Sequence, residues 1–222
     1  MQIEIDKLIR SKRRTIALII ERDGSFTVRA PLRAPTAAIE TFIQQKADWI
    51  TRTRDRMKSI EPILGKQYAD GEKFLFLGSS FDLKLVGFQK HSLHFDSGFT
   101  LRRAAQTKGE QVFTRWYKER ALEIISERVK QYSQQYNFAP KQVKISSAKT
   151  RWGSCSPNGA LNFTWRLVMA PLAVIDYVVA HELVHLRVKD HSSKFWKTVE
   201  SIYPDYKKQR KWLRENGGKL IL

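Results

Sequence analysis

Hydrophobic and polar positions follow two periods along this 222-residue chain, and the dominant one changes near the middle. TIALIIERDGSFTVRA, residues 15–30, alternates around Asp23-Gly24, the kind of dipeptide that closes a β-hairpin. After Pro35 the pattern turns helical over residues 36–57, with Ile39, Phe42, Ile43, Ala47 and Ile50 on one stripe. Residues 72–86 read as a hairpin broken at Gly78-Ser79, and 92–103 as another around Asp96-Ser97-Gly98. A long amphipathic helix is then expected over 110–136, carrying Val112, Phe113, Trp116, Leu122, Ile125, Val129 and Tyr132, and ended by Asn137 and Pro140. Strands are expected at 142–148 and 160–169, on either side of the turn-rich loop TRWGSCSPNG at 150–159. Pro171 opens a helix reaching Leu186, and one or two further helices over 193–215 break at Pro204. No internal repeat appears. The expected fold is α+β: a small β-rich unit with one helix over residues 1–105, then a helix–strand–strand–helix–helix domain over 106–222.

Composition narrows the class. An apolar content of 42% with 11% aromatics is that of a folded chain, and no run of eighteen apolar residues offers a membrane span. The opening MQIEIDKLIRSKRR lacks the apolar segment of a secretory signal, and the single Cys155 forms no internal disulfide; both fit a cytoplasmic protein. Charge changes the picture more. The formal net charge is +18, with 17 basic against 12 acidic side chains in residues 1–100 and 23 against 10 in residues 101–222. Such a surface attracts nucleotides, nucleic acids and other phosphate-rich partners, or simply keeps the chain soluble. Nothing in the sequence sets the oligomeric state.

The candidate chemistry sits in HELVHLRVKDHSSKFW, residues 181–196, which holds three of the five histidines. Residues four apart on a helix stack one turn above another, so His181 and His185 project the same way and can share one Zn²⁺ at about 2.0–2.1 Å each. Glu182 points about 100° away, better placed to face an attacking water than to ligate. If the helix continued, His191 would turn by about 240° and climb ~9 Å, beyond reach of the same ion. The apolar pattern lapses at Arg187-Val188-Lys189-Asp190, so the chain is expected to turn there, with Ser192 or Ser193 capping a returning helix whose Phe195, Trp196, Val199 and Ile202 face the core. His191 then completes a three-histidine set with one open position, the mark of a catalytic zinc site. Glu200, fifteen residues past His185, is the competing third ligand, and a set of packing imidazoles is the bland alternative.

Taken together, HELVH with His191, the Ser192-x-x-Phe195-Trp196 that follows, Thr150–Ser156, Asn162, Pro171, Asp176-Tyr177 and Pro204–Tyr206 resemble the YgjP-like family of predicted zinc metallopeptidases. This zincin-like family is related to the SprT-like and WLM proteins. The resemblance covers at least residues 140–215, and more weakly the hairpin at 15–30 and residues 70–78. It departs from the metzincins, which have a glycine between their second and third histidines where this chain has none. The resemblance implies a zincin-like minimal metallopeptidase core holding one Zn²⁺, with a substrate-pairing edge strand expected at 160–169. It also places Trp152, Gly153, Ser154 and Cys155 near the cleft and makes Asn162 a candidate substrate contact. Trp152 reads equally well as a packing plug, and Cys155 as a structural thiol rather than a ligand.

The expected activity is therefore zinc-dependent hydrolysis of a peptide or protein, with Glu182 as general base and acid. Arg151, Tyr203 and Tyr206 are candidates for holding the oxyanion, and Arg151 and Tyr206 also for touching substrate. The basic charge keeps open two alternatives, a metal-dependent phosphohydrolase acting on nucleoside triphosphates and an SprT-like protease recruited to nucleic acid.

Overall fold

In the computed structural model, which describes residues 3–21, 24–58 and 66–222, strands β1 (Lys7–Ser11), β2 (Ala17–Ile20) and β3 (Phe26–Pro31) form a sheet in the order β1-β3-β2. β2 and β3 pair antiparallel with Ile20 opposite Phe26, and β1 adds to β3 in parallel. Arg22 and Asp23 of the expected turn lie outside the described residues. The expected single helix divides at Lys46 into α1 (Thr36–Gln45) and α2 (Ala47–Lys58). Its stripe survives the break: Ile39 and Ile43 from α1 and Ile50 from α2 join Phe26, Val28 and Ala30 in one small core, while Phe42 and Ala47 are half-buried. Each large side chain so buried contributes about 1.5–3 kcal/mol.

A second and larger core begins with β4 (Lys73–Phe76), β5 (Ser79–Val86), β6 (Leu93–Phe95) and β7 (Phe99–Arg102), a sheet in the order β4-β5-β7-β6. Leu77 and Gly78 at the β4–β5 turn both have positive φ, 49° and 84°, which matches the twist of paired strands. Their amides donate to the carbonyls of Val168 and Met169 at 2.8 and 3.1 Å, and a Cβ on Gly78 would lie 2.8 Å from Pro171 Cγ. This sheet therefore shares its core with the C-terminal elements. The compact units are Met1–Leu64 and Gly65–Leu222, not 1–105 and 106–222. The change of hydrophobic period marks where strands give way to helices, which is not where one core ends.

α3 (Gly109–Tyr136) buries Phe113, Tyr117, Ala121, Ile125 and Val129; Leu122, expected on that stripe, is 48% exposed. It ends at Asn137, which takes the left-handed conformation at φ 55°. β8 (Gln142–Ser146), β9 (Gly153–Cys155) and β10 (Ala160–Thr164) form the third sheet, in the order β8-β10-β9. The expectation of an edge strand at 160–169 is corrected on two counts. β10 stops at Thr164, where a 3₁₀ turn takes over Trp165–Met169, and it lies between β8 and β9. The edges are β8 and the short β9, which lies inside what reads as a loop. α4 (Leu172–Val184), α5 (Ser193–Ile202) and α6 (Tyr206–Asn216) complete the α+β fold. No helix of the described residues is long and apolar enough to cross a membrane.

Candidate metal centre

α4 has almost no polar side: Val174, Ile175, Val178, Val179, Ala180, Leu183 and Val184 are all buried as it packs against α3, α5, α6 and β9. Arg128 of α3 anchors it with a two-pronged bond to Asp176, Nε to Oδ1 at 2.5 Å and Nη2 to Oδ2 at 2.7 Å. The helix closes at His185, where the amides of Leu186, Arg187 and Val188 donate back to Leu183 and Val184 at 2.9–3.0 Å and turn the chain. The Asp190 carboxylate accepts from the Ser192 amide at 3.2 Å, and α5 starts at Ser193. Ser192 occupies the cap position without the expected side-chain hydrogen bond.

The turn brings His191 Nε2 to 3.1 Å from His181 Nε2 and 3.2 Å from His185 Nε2. Two nitrogens each about 2.0–2.1 Å from a tetrahedral zinc ion stand ~3.3 Å apart; both His191 distances match that, and the three ligand atoms all lie within 4.8 Å of one another, so the set could hold one metal ion. The His185 tautomer agrees with this. The Val188 carbonyl, which only accepts, lies 3.0 Å from His185 Nδ1, so Nδ1 carries the proton and the Nε2 lone pair faces the cluster. Burial, then the neighbouring His185, His191 and Arg210, push His181 down to about 3, which keeps it an unprotonated donor. Phe195, wholly buried, makes an apolar floor, its centroid 4.8, 4.5 and 4.8 Å from the rings of His181, His185 and His191. Trp196 stacks on His191 at 5.8 Å and on Tyr206 at 5.4 Å, with the Arg210 guanidinium over its own ring at 4.7 Å.

Glu182 is 5% exposed, with Oε2 buried and unpartnered. Burial pushes its carboxyl up to about 8, and the Arg151 charge pulls the other way. β9 presses directly on it. A Cβ on Gly153 would sit 2.5 Å from Glu182 Oε1, so only glycine leaves the carboxyl its place.

The other candidates separate. Arg151 is exposed just before β9, its charge felt at Glu182. Trp152 packs on Gly217, where a Cβ would meet its ring at 2.6 Å, and its carbonyl accepts from Thr164. Asn162 lies on β10 opposite Ser154, half-buried, with Oδ1 unpartnered. Tyr206 is buried beneath Trp196. Burial, then the Asp176 and Asp205 charges, pushes the Tyr203 hydroxyl up, and the histidines play no part in that shift. Glu200 is exposed and pairs with Lys207 at 3.1 Å. Neither it nor Cys155, whose thiol burial raises, joins the three histidines, the one group of convergent metal-ligating side chains among the described residues.

Two further residues belong to this site. Tyr177 sits one turn before His181, ring centroids 6.0 Å apart, and burial pushes its hydroxyl up to about 12. The i, i+4 spacing was a readable signal for it. Arg210 arrives from α6, and nothing in the local sequence points to it. Trp196 packs against the core as expected and is also the surface on which His191 rests.

Residues 14–216 match the family described as YgjP-like, metallopeptidase domain. No curated protein matches the chain. Among solved structures, the crystal structure of the metallopeptidase zymogen of Pyrococcus abyssi abylysin is similar at 20% identity with a TM-score of 0.38, over 41% of this chain and 93% of that one.

Proposed function

The chain belongs to the YgjP-like metallopeptidase family, and on that premise we propose that it is a zinc-dependent peptidase with His181, His185 and His191 as ligands and Glu182 as proton carrier. The carrying observation is the convergence of three Nε2 atoms beside a buried, unpaired carboxyl. His181, His185 and His191 would hold the Zn²⁺, which would supply Lewis acidity there. The chain's own residues do the rest. Glu182, buried beside the three histidines with Oε2 unpartnered, takes a proton from the attacking water and returns it to the leaving amine. The Tyr177 hydroxyl, which stays protonated, and Arg210 receive the developing oxyanion. An extended peptide pairs with the free edge of β9, which carries its backbone past Glu182.

Metal analysis of the purified protein should find one zinc per chain, and cleavage of unfolded casein should cease on chelation. Glu182→Gln should keep the zinc and lose turnover by about 10²–10⁴-fold. An undiminished rate would overturn the role of Glu182.

A second reading, hydrolysis of nucleoside triphosphates at the same centre, draws support from Arg151 and Arg210, neither of which has an ion-pair partner among the described residues. Metal-dependent pyrophosphate release, with casein left intact, would select it.

A further inference from the structure

A second concave region lies where β7 runs into α3, and it shares no residue with the histidine centre. The Arg102 amide donates to the Ser92 carbonyl at 2.9 Å, which sets the ends of β6 and β7 side by side. A 3₁₀ turn, Arg103–Lys108, then leads into α3. Gln111 and Arg115, four residues apart, share one face of α3, away from the buried stripe of Phe113, Tyr117 and Ala121, and Lys108 stands at the cap position just before the helix. With Ser92 and Arg102 they line a pocket of about 390 Å³.

Its electrostatics are one-sided. Arg102, Lys108 and Arg115 line it, no carboxylate does, and none of the three has an ion-pair partner among the described residues. The Arg102 Nε is buried without an acceptor. Three gathered cations repel one another, and a carboxylate would offset only one of them. A phosphate monoester brings close to two negative charges at neutral pH and three acceptor oxygens, matching two guanidinium forks and an ammonium. Ser92 and Gln111 add neutral donors. The pocket continues into a groove of about 640 Å³ through the shared Ser92, Val112 and Arg115. That groove presents Trp116, Phe95 and His94; its acids, Glu119 and Glu123, come later on α3, and Glu123 is already paired with Arg120 at 2.7 Å.

We propose that this pocket binds a phosphate monoester, the phosphate held by Arg102, Lys108 and Arg115 and the esterified body lying along the groove toward Trp116. Isothermal titration of the zinc-loaded protein at low chloride, with inorganic phosphate and phenyl phosphate as probes, tests this. Both should bind saturably, phenyl phosphate more tightly because its ring reaches the aromatic groove. The double variant Lys108→Gln/Arg115→Gln, at exposed positions outside the histidine centre, should bind both at least about tenfold more weakly, a loss of about 1.4 kcal/mol, with zinc content and casein cleavage unchanged. Absence of saturable heat overturns the site. Binding that survives the double variant but vanishes on chelation overturns it too, since phosphate would then sit at the histidines. Binding of a single-stranded oligonucleotide with inorganic phosphate silent overturns it in favour of a polymer surface.

Discussion

His181 and His191 direct their Nε2 atoms at one point from opposite kinds of surroundings. The first stands on a helix enclosed by three other helices and a strand, anchored by Arg128–Asp176, and burial keeps its ring neutral. The second is exposed, on a turn that belongs to no helix, and what holds its ring is contact: Trp196 against one face and Phe195 beneath. Trp196 is in turn held by Tyr206 and Arg210 of α6. A metal site can therefore draw half its rigidity from a buried helix and half from an aromatic stack, and the two halves should fail differently.

The largest effect should come from the ligands themselves. His181→Ala and His191→Ala should each weaken zinc binding by more than about 100-fold in competition with a chromogenic chelator, while Glu200→Ala leaves it unchanged. Equal affinity for His191→Ala and the parent chain would dissolve the comparison. Trp196→Leu should weaken binding by about 10–100-fold with all three ligands present, because it frees only the exposed histidine. Gly153→Ala should leave zinc affinity nearly intact, yet destabilise the chain by about 1–3 kcal/mol in urea unfolding and depress turnover, since the new methyl displaces Glu182.

The smallest effect is on pH. In zinc-free protein, burial raises Glu182 from 4.5 to about 8, so the folded state binds more protons than the unfolded one between those values. Its contribution to stability is lost as pH rises through that range and levels off above about 8. Zinc-free Glu182→Gln lacks this loss and should gain in Tm on the zinc-free parent as pH rises from about 6 to about 8. A constant difference would mean that the carboxyl is solvated.

Much of the centre was legible along the chain. A spacing of four placed His181 and His185 together, and the lapse of apolar positions at 187–190, ahead of a third histidine, required the turn that the fold makes. Local pattern also located the hairpins and the long helix. It erred wherever the answer depended on what packs against an element. Leu122 satisfied the helical stripe but faces solvent, because the core contacts α3 along Phe113, Tyr117 and Ala121 instead. Three residues, Gly153–Cys155, looked like loop but act as an edge strand, since pairing with β10 and the press of Gly153 on Glu182 are long-range contacts that leave no periodic trace.

By itself, the order of residues determined the chemistry on offer: which side chains carry lone pairs, which of them a helix aligns, and where the chain has to turn. The tertiary structure alone decided the surroundings that give those groups their properties. Arg210 reaches the site from α6, Trp196 supports His191 besides packing on the core, and the four-stranded sheet joins the C-terminal core through Gly78 and Pro171. The physical reason is one of range. Helical rise and strand alternation act between near neighbours and can be counted along a sequence, whereas burial, charge proximity and ring stacking are set by residues brought together only when the whole core closes.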